Sequence, residues 1–414
     1  AMVSAILCMY LIVQLGRKAP LKLSPPYIAL VLILFGSSHT ILLQGDLLKQ
    51  YTTDAMWSLL FVNLALKYSF RFILSPGGKL FWTLIGSLAI WCSMPAVFLL
   101  ATIGVYYFYQ ASKEDKSILL LQHLLIPGFI WVAQFAIYFF TILKSDAESD
   151  YLQTYHQRYF FDYAFWEIKS WSQNAKVLSG IIDAYLGKTV IVYIWVFLAA
   201  LAGGIQLARK KEGLLILLAM PGLCAIAASL WQYYSCIPRL LLFYIPLFYF
   251  LIALGVRYLW KVSTMPGRAL LLLSTLFISL QMSGWTYFLP HNPCLLEETR
   301  EVMDELSPPS PVSSTIFVNH SGAPAVRFYT RYHDEKASYK AFYTFRSLQW
   351  NEDIVEESKA FFRRNPEQTL WIIWGHEPNK RIQKTALALK AANLKVMHDI
   401  EKVHARAMEF RAVQ

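Results

Sequence analysis

Residues 80–110 read LFWTLIGSLAIWCSMPAVFLLATIGVYYFYQ, a run of 31 residues without one charged side chain. The way this run folds sets the direction of every segment after it. About 20 residues of helix cross the roughly 30 Å hydrocarbon layer of a membrane, so this run is too long for one straight span. At its centre stands Cys92-Ser93-Met94-Pro95. A proline lacks the backbone donor and crowds the preceding turn, so the chain either kinks there or reverses. Reversal gives two helices of about 15 residues, each about 22 Å long, with a tip inside the level of the outer leaflet.

The basic residues choose between the two. Further apolar runs lie at about 2–15, 25–43, 55–74, 117–143, 188–207, 213–230, 240–260 and 269–287. With a hairpin at Pro95, alternating crossings gather 14 Lys and Arg on the cytoplasmic side and leave 7 outside. A single span gives 12 against 9 and strands Arg209-Lys210-Lys211 outside. Cytoplasmic loops of membrane proteins carry the basic excess, which favours the hairpin. The expected fold is a polytopic α-helical membrane protein, with about ten membrane helical segments over 1–289 and a C-terminal α/β domain over 290–414 on the outer, periplasmic face. The same count puts Ala1 outside, and no Met stands at position 1. An upstream segment with one more span and an outer loop is therefore expected.

Composition agrees. The chain of 414 residues is 56% hydrophobic and only 16% charged, with a mean hydropathy of +0.39, which excludes a disordered or fibrous protein and argues against an ordinary cytosolic enzyme. The net charge is +11, and the first 289 residues hold 21 basic and 11 acidic groups, or +10 of it. That excess lies in loops beside spans, where orientation explains it and nucleic acid need not. The five cysteines form no CxxC. Gly77-Gly78-Lys79 lacks the flanking residues of a phosphate loop, and His333-Asp334-Glu335 lacks ligand partners at a fixed spacing. Neither a cofactor nor a metal is expected.

Three segments meet water on the outer face, and the chemistry is expected there. The first runs from Gln44 to Asp54 and holds Asp46, Lys49 and Tyr51. Asp54 opens the next helix, where a carboxylate suits the positive end of the dipole. Thr52, Thr53 and Asp54 are then either simple caps, or Asp46 and Asp54 face a membrane-surface cavity with Lys49 as a phosphate contact. The second is Trp231 to Arg239, followed by Leu240-Leu241-Leu242-Phe243. An arginine heading a span either snorkels to headgroups or grips an anion. Tyr233 and Tyr234 are otherwise an aromatic belt. The third is the loop 144–187, whose aromatic stretch Tyr159 to Trp166 suits an amphipathic segment in the interface or sugar stacking. His156, Glu167 and Lys169 are possible site members.

The tail alternates helical and strand patterns. Leu295–Leu306, Asn351–Arg364 and Asn379–Ala392 read as helices. Ser314–Asn319, Thr369–Trp374, Leu394–Asp399 and Ala407–Val413 read as strands, so a sheet flanked by helices is expected. No nucleophile–base pair stands out in it, and it reads as a structural or acceptor-recognition cap. Asn319-His320-Ser321 fits a glycosylation sequon.

At Lys49-Gln50-Tyr51-Thr52-Thr53-Asp54, and again at Tyr234-Ser235-Cys236-Ile237-Pro238-Arg239-Leu240-Leu241-Leu242-Phe243, the chain resembles the bacterial GT-C glycosyltransferases. Within them it is similar to the transferases that use polyprenyl-phosphate sugars, including protein mannosyltransferases and the lipid A aminoarabinose transferase. Members carry an outer loop of the form E-x-K-x-Y-S/T-x-D opening a span, and a later Y-x-x-P-R-x-x-L-F stretch heading another. A short hairpin and a soluble C-terminal domain belong to the same layout. The resemblance implies an inner-membrane enzyme that moves a sugar from a polyprenyl-phosphate carrier to a lipid, glycan or protein acceptor, inverting the anomeric centre. It implies Lys49, Arg239, Tyr51 and Tyr234 as ligands of the lipid phosphate, and Asp46 and Asp54 as the catalytic carboxylates. Two departures stand out. The main catalytic carboxylate of the family lies in the first outer loop, a region absent from this sequence, and the acidic residue expected two places before Lys49 is Leu47, with Asp46 adjacent. The alternatives are a transporter or flippase-like protein, or a degenerate non-catalytic member of the family.

Overall fold

The 80–110 run is broken at the proline. In the computed structural model one helix, Pro76–Cys92, stops at Ser93, and the next, Ala96–Ser112, begins after Pro95. The rings of Trp82 and Tyr107 meet edge to face with centroids 5.8 Å apart. In an unbroken helix residues so far apart in sequence would be separated by about 37 Å. The run is therefore an antiparallel hairpin, joined by that aromatic contact and tied to the extended Tyr68 by the Tyr107 hydroxyl, which donates to Tyr68 O at 2.9 Å.

The structure describes all residues except 1, 19–20, 47–49, 145–152, 154–155, 165, 211–212, 292–298, 307–313, 320, 332–342, 349–350, 376, 378, 403–404 and 414, and leaves out some neighbouring side chains, that of Asp46 among them. It divides into two units, Ala1–His291 and Asn292–Gln414.

The first unit is helical. Four of its helices, Ser117–Leu143, Val190–Lys210, Ile245–Val262 and Met265–Met282, are long and apolar enough to cross a membrane, and four shorter apolar helices accompany them. Outward-facing Leu125, Phe129 and Val132 on one and Leu270 and Leu273 on another are a surface that water does not suit. Two other expected spans are discontinuous. The 25–43 run divides into Pro25–Gly36 and His39–Asp46 at Ser37-Ser38, and the 55–74 run into Tyr51–Lys67 and Phe70–Leu74 at an extended Tyr68. Hydropathy is blind to these breaks, because one or two small polar residues barely change a window average. The 240–260 run starts as a 3-10 turn, Pro238–Phe243, before the helix Ile245–Val262.

That last helix is the centre of the bundle, buried along most of its length. It meets Val190–Lys210 at a glycine seam. A Cβ on Gly203 would lie 2.2 Å from Leu251 O, and one on Gly255 1.7 Å from Ala199 O, so the two backbones touch. Small residues at this spacing permit close helix packing where no hydrophobic effect drives it. Basic residues gather at one end of the bundle. There Lys18 Nζ donates to Asn63 O at 2.6 Å, Arg257 to Leu21 O at 2.8 Å, and Arg209 to the Tyr258 hydroxyl at 3.0 Å, while Arg71 pairs with Glu114 at 2.9 Å.

The second unit holds a five-stranded sheet in the order β2-β1-β3-β5-β4. Its strands are β1 Ser314–Asn319, β2 Tyr343–Leu348, β3 Thr369–Gly375, β4 Leu394–Lys402 and β5 Ala405–Ala412. β1 pairs parallel with β2 and β3, and β5 runs antiparallel to β3 and β4. One face packs Phe317, Ile372 and Trp374 against Ile354, Ile382 and Leu389; the other packs Ile316, Val318 and Ile373 against Val302, Met303 and Val326. Strand β2 and the helix Ala323–Arg331 have no counterpart in the sequence reading. β2 is an edge strand whose Arg346 reaches Glu357, so it lacks the apolar run of a central strand. Open α/β sheets bind ligands where the strand order reverses, here between the ends of β1 and β3. Asn319 fills that position: its Oδ1 accepts from Gly322 N at 3.1 Å and Gly375 N at 2.9 Å, and its Nδ2 donates to Gly375 O at 3.0 Å. The same bonds bury the amide of the sequon asparagine in the folded chain.

Candidate functional site

The helix Ile168–Tyr185 is amphipathic in the way the aromatic loop predicts. Tyr163, Trp166, Ile168, Trp171 and Leu178 stand exposed on or before it. Gln173, Lys176, Val177, Gly180, Asp183 and Ala184 fall at spacings of three and four, so they share the opposite stripe. That stripe is one wall of a cavity of about 870 Å3. Ser37, Thr40 and Gln44 form a second wall, Arg158 and Tyr159 a third, and Cys236, Ile237, Pro238 and Arg239 a fourth. All three outer-face segments named from the sequence thus contribute to one cavity.

Hydrogen bonds to carbonyls hold these walls in place. The Tyr185 hydroxyl donates to Pro238 O, beside Arg239, while the Tyr249 hydroxyl donates to Tyr185 O at 3.3 Å. Thr40 Oγ1 donates to Ala184 O at 2.7 Å, and Cys236 N to Tyr159 O at 3.1 Å. Gln173 Nε2 donates to Arg158 O at 3.0 Å. The turn into the next helix passes through Gly187 at a φ of 113°, a conformation that an L side chain strains to adopt. Ahead of the amphipathic helix, Asp162 acts as a bracket. Its carboxylate accepts from Ala164 N at 3.0 Å and Ser170 Oγ at 2.8 Å, and these bonds, the backbone one foremost, hold its pKa below the ordinary carboxylate value.

The cavity is cationic. Arg158, Lys176, Lys188 and Arg239 line it against one described carboxylate, Asp183. The Tyr193 hydroxyl donates to Asp183 Oδ1. Arg239 makes no ion pair among the described residues, and its Nε is buried without a hydrogen-bond partner, as is Oε1 of Gln44. A buried polar atom left so costs about 1–3 kcal/mol, which a polar ligand would recover. His156 lies close to Arg239: burial first, and then the neighbouring guanidinium, push its pKa below the ordinary histidine value.

The residues singled out from the sequence divide. Arg239 lines the cavity. Asp54, Tyr51 and Tyr234 gather beside one another just off its wall. Asp54 does not cap its helix: Gln50 holds the N-cap position, and the buried Asp54 sits in the first turn with Oδ1 unbonded. Ser93, from the hairpin tip, lies next to that carboxyl but outside hydrogen-bonding geometry. Tyr234 is buried with its hydroxyl donating to Leu240 O at 2.6 Å, whereas Tyr233 is 73% exposed, so only Tyr233 suits a belt. Glu167 and Lys169 are exposed and off the wall. Lys49 and the Asp46 side chain lie outside the described residues. Sequence reading used Arg158, Lys176 and Lys188 only as orienting charges and missed Gln44, Gln173 and Asp183. The three-and-four spacing of polar residues from Gln173 to Asp183 was the available signal. No protein-family model, no curated protein and no solved structure matches this chain.

Proposed function

We propose that this chain is a membrane glycosyltransferase of the GT-C kind, which moves a sugar from a polyprenyl-phosphate carrier to a lipid, glycan or protein acceptor at the outer face of a bacterial inner membrane. In this reading about ten helical segments lie in the bilayer, the cavity opens at the periplasmic end of the bundle, and residues 292–414 are periplasmic. The observation that carries it is the set of four cationic side chains that line one cavity, with Arg239 left without an anionic partner among the described residues. An arginine and a lysine suit a phosphate by charge and by the number of N–H donors they present. About 870 Å3 holds a phosphate and one sugar.

The chemistry suits a lipid donor. A sugar on a polyprenyl phosphate stays at the membrane surface, so its transferase needs a cavity beside the amphipathic helix that lies in that surface. Cations stabilise the departing phosphate, and exclusion of bulk water strengthens their effect. A second reading, a non-catalytic phospholipid-binding or flippase-like protein, is favoured by the position of Asp54 off the wall of the cavity.

The test is donor cleavage by the purified protein in nanodiscs, with polyprenyl-phosphate hexose, hexosamine and aminopentose as probes. The expected result is release of polyprenyl phosphate from one of them. Arg239→Ala and Lys176→Ala should each weaken donor binding by about tenfold or more, the loss of one charge-assisted hydrogen bond. Binding without cleavage of any donor would favour the second reading, and neither binding nor cleavage would end both.

A further inference from the structure

Resting on the transfer reading above, we infer that Asp183 is the general base that activates the acceptor. The geometry points to it on three counts. It is the carboxylate that the described residues place on the cavity wall, facing the space that Arg239, Lys176 and Lys188 also line. Its neighbours are fixed from three directions, by Thr40 on Ala184 O, Tyr249 on Tyr185 O, and the Tyr185 hydroxyl on Pro238 O. The end of the helix that carries Asp183 is therefore held to the segment that carries Arg239. Finally, Tyr193 engages Oδ1, and no described residue bonds Oδ2, so one oxygen is oriented while the other remains able to accept. A base steered by a neighbouring hydroxyl and aimed at a cavity is the arrangement that proton abstraction requires.

The step balances as follows. The acceptor hydroxyl oxygen attacks the anomeric carbon and its proton passes to Asp183 Oδ2. The bond between the anomeric carbon and the phosphate oxygen breaks, and its electron pair stays on the phosphate, where Arg239 and Lys176 stabilise the charge. The products are the inverted glycoside and the polyprenyl phosphate. Water in place of the acceptor follows the same course and releases free sugar. Tyr193 is a positioning residue: it fixes which oxygen faces the reacting atoms.

The experiment compares wild type, Asp183→Asn, Asp183→Glu and Tyr193→Phe in nanodiscs, with the three polyprenyl-phosphate sugars as donors and water as the common acceptor. For each variant, polyprenyl phosphate binding and the thermal unfolding midpoint are measured beside the cleavage rate. Asp183→Asn should keep binding within a few-fold and the unfolding midpoint, yet lose about 10²–10⁴-fold in kcat. Asp183→Glu should restore part of that loss, and Tyr193→Phe should lower kcat more than it raises KM. Wild-type kcat in a folded Asp183→Asn protein overturns the assignment and leaves the transfer reading standing. Loss of polyprenyl phosphate binding in Asp183→Asn at an unchanged unfolding midpoint overturns it as well, since the residue would then hold the cavity and not the proton. Absence of cleavage by the wild type overturns both.

Discussion

His156 lies close to Arg239, which lines a cavity rich in positive charge, and this sets a direction for acid sensitivity. The ordinary value of the imidazole is 6.5, and in the folded chain it lies below that, through burial and then through Arg239. As pH falls, the unfolded chain therefore takes up this proton first. The contribution of His156 to stability is complete above about pH 6.5 and is lost progressively as pH drops from there through the folded value. His156→Gln, which does not titrate, should flatten that part of the curve when unfolding midpoints are followed between about pH 7.5 and 5. Equal slopes for wild type and variant would assign the effect elsewhere. At this scale the sequence was informative in one respect: Arg239 heads an apolar run, and an arginine there announces either lipid headgroups or an anion. The role of Tyr234 was not legible. Whether a tyrosine stands in a belt or donates to Leu240 O depends on the 3-10 turn that follows, and that turn is set by packing against other helices.

Helix against helix, the seam of Gly203 and Gly255 is the tightest joint of the first unit. Both meet backbone carbonyls, which cannot rotate away as a side chain would. Gly255→Val should destabilise the bundle by about 2–3 kcal/mol or more, the upper range for overpacking, while Gly204→Val, where nothing lies within 4 Å, should be nearly silent. Thermal unfolding in detergent distinguishes the two, and equal effects would mean that the seam bears no load. The hairpin belongs to the same scale. It was legible because a proline interrupts an uncharged run too long for one span and because basic residues favoured reversal. The breaks at Ser37-Ser38 and Tyr68 were not, since nothing in their composition separates them from the interior of a span. The stripe of Gln173, Lys176, Gly180 and Asp183 was readable by spacing but hidden among aromatics that point the other way.

For the molecule as a whole, the arrangement of charge makes a topological prediction. Cysteines placed at Lys113 and Lys67, at the basic end, should react with a membrane-impermeant maleimide only after the cells are opened. Those at Gln232 and Tyr163 should react in spheroplasts left intact. Labelling of both sets from one side would exclude the crossing pattern. The α/β character of residues 292–414 was evident from alternating patterns of 2.0 and 3.6 residues. The edge strand β2 escaped notice because Arg346 and Ser347 interrupt its apolar alternation, as edge positions permit.

The paired helices Pro76–Cys92 and Ala96–Ser112 have 17 residues each. At about 25 Å they fall short of a hydrocarbon layer of about 30 Å. A bilayer that surrounds them must pucker toward their tip, because lipid tails do not tolerate a bare gap beside a polar turn. Headgroups next to Cys92, exposed at that tip, would then ride several ångströms below those of the surrounding sheet. Such a dimple would bring headgroups toward the level of Asp54, and a thicker host membrane would deepen it.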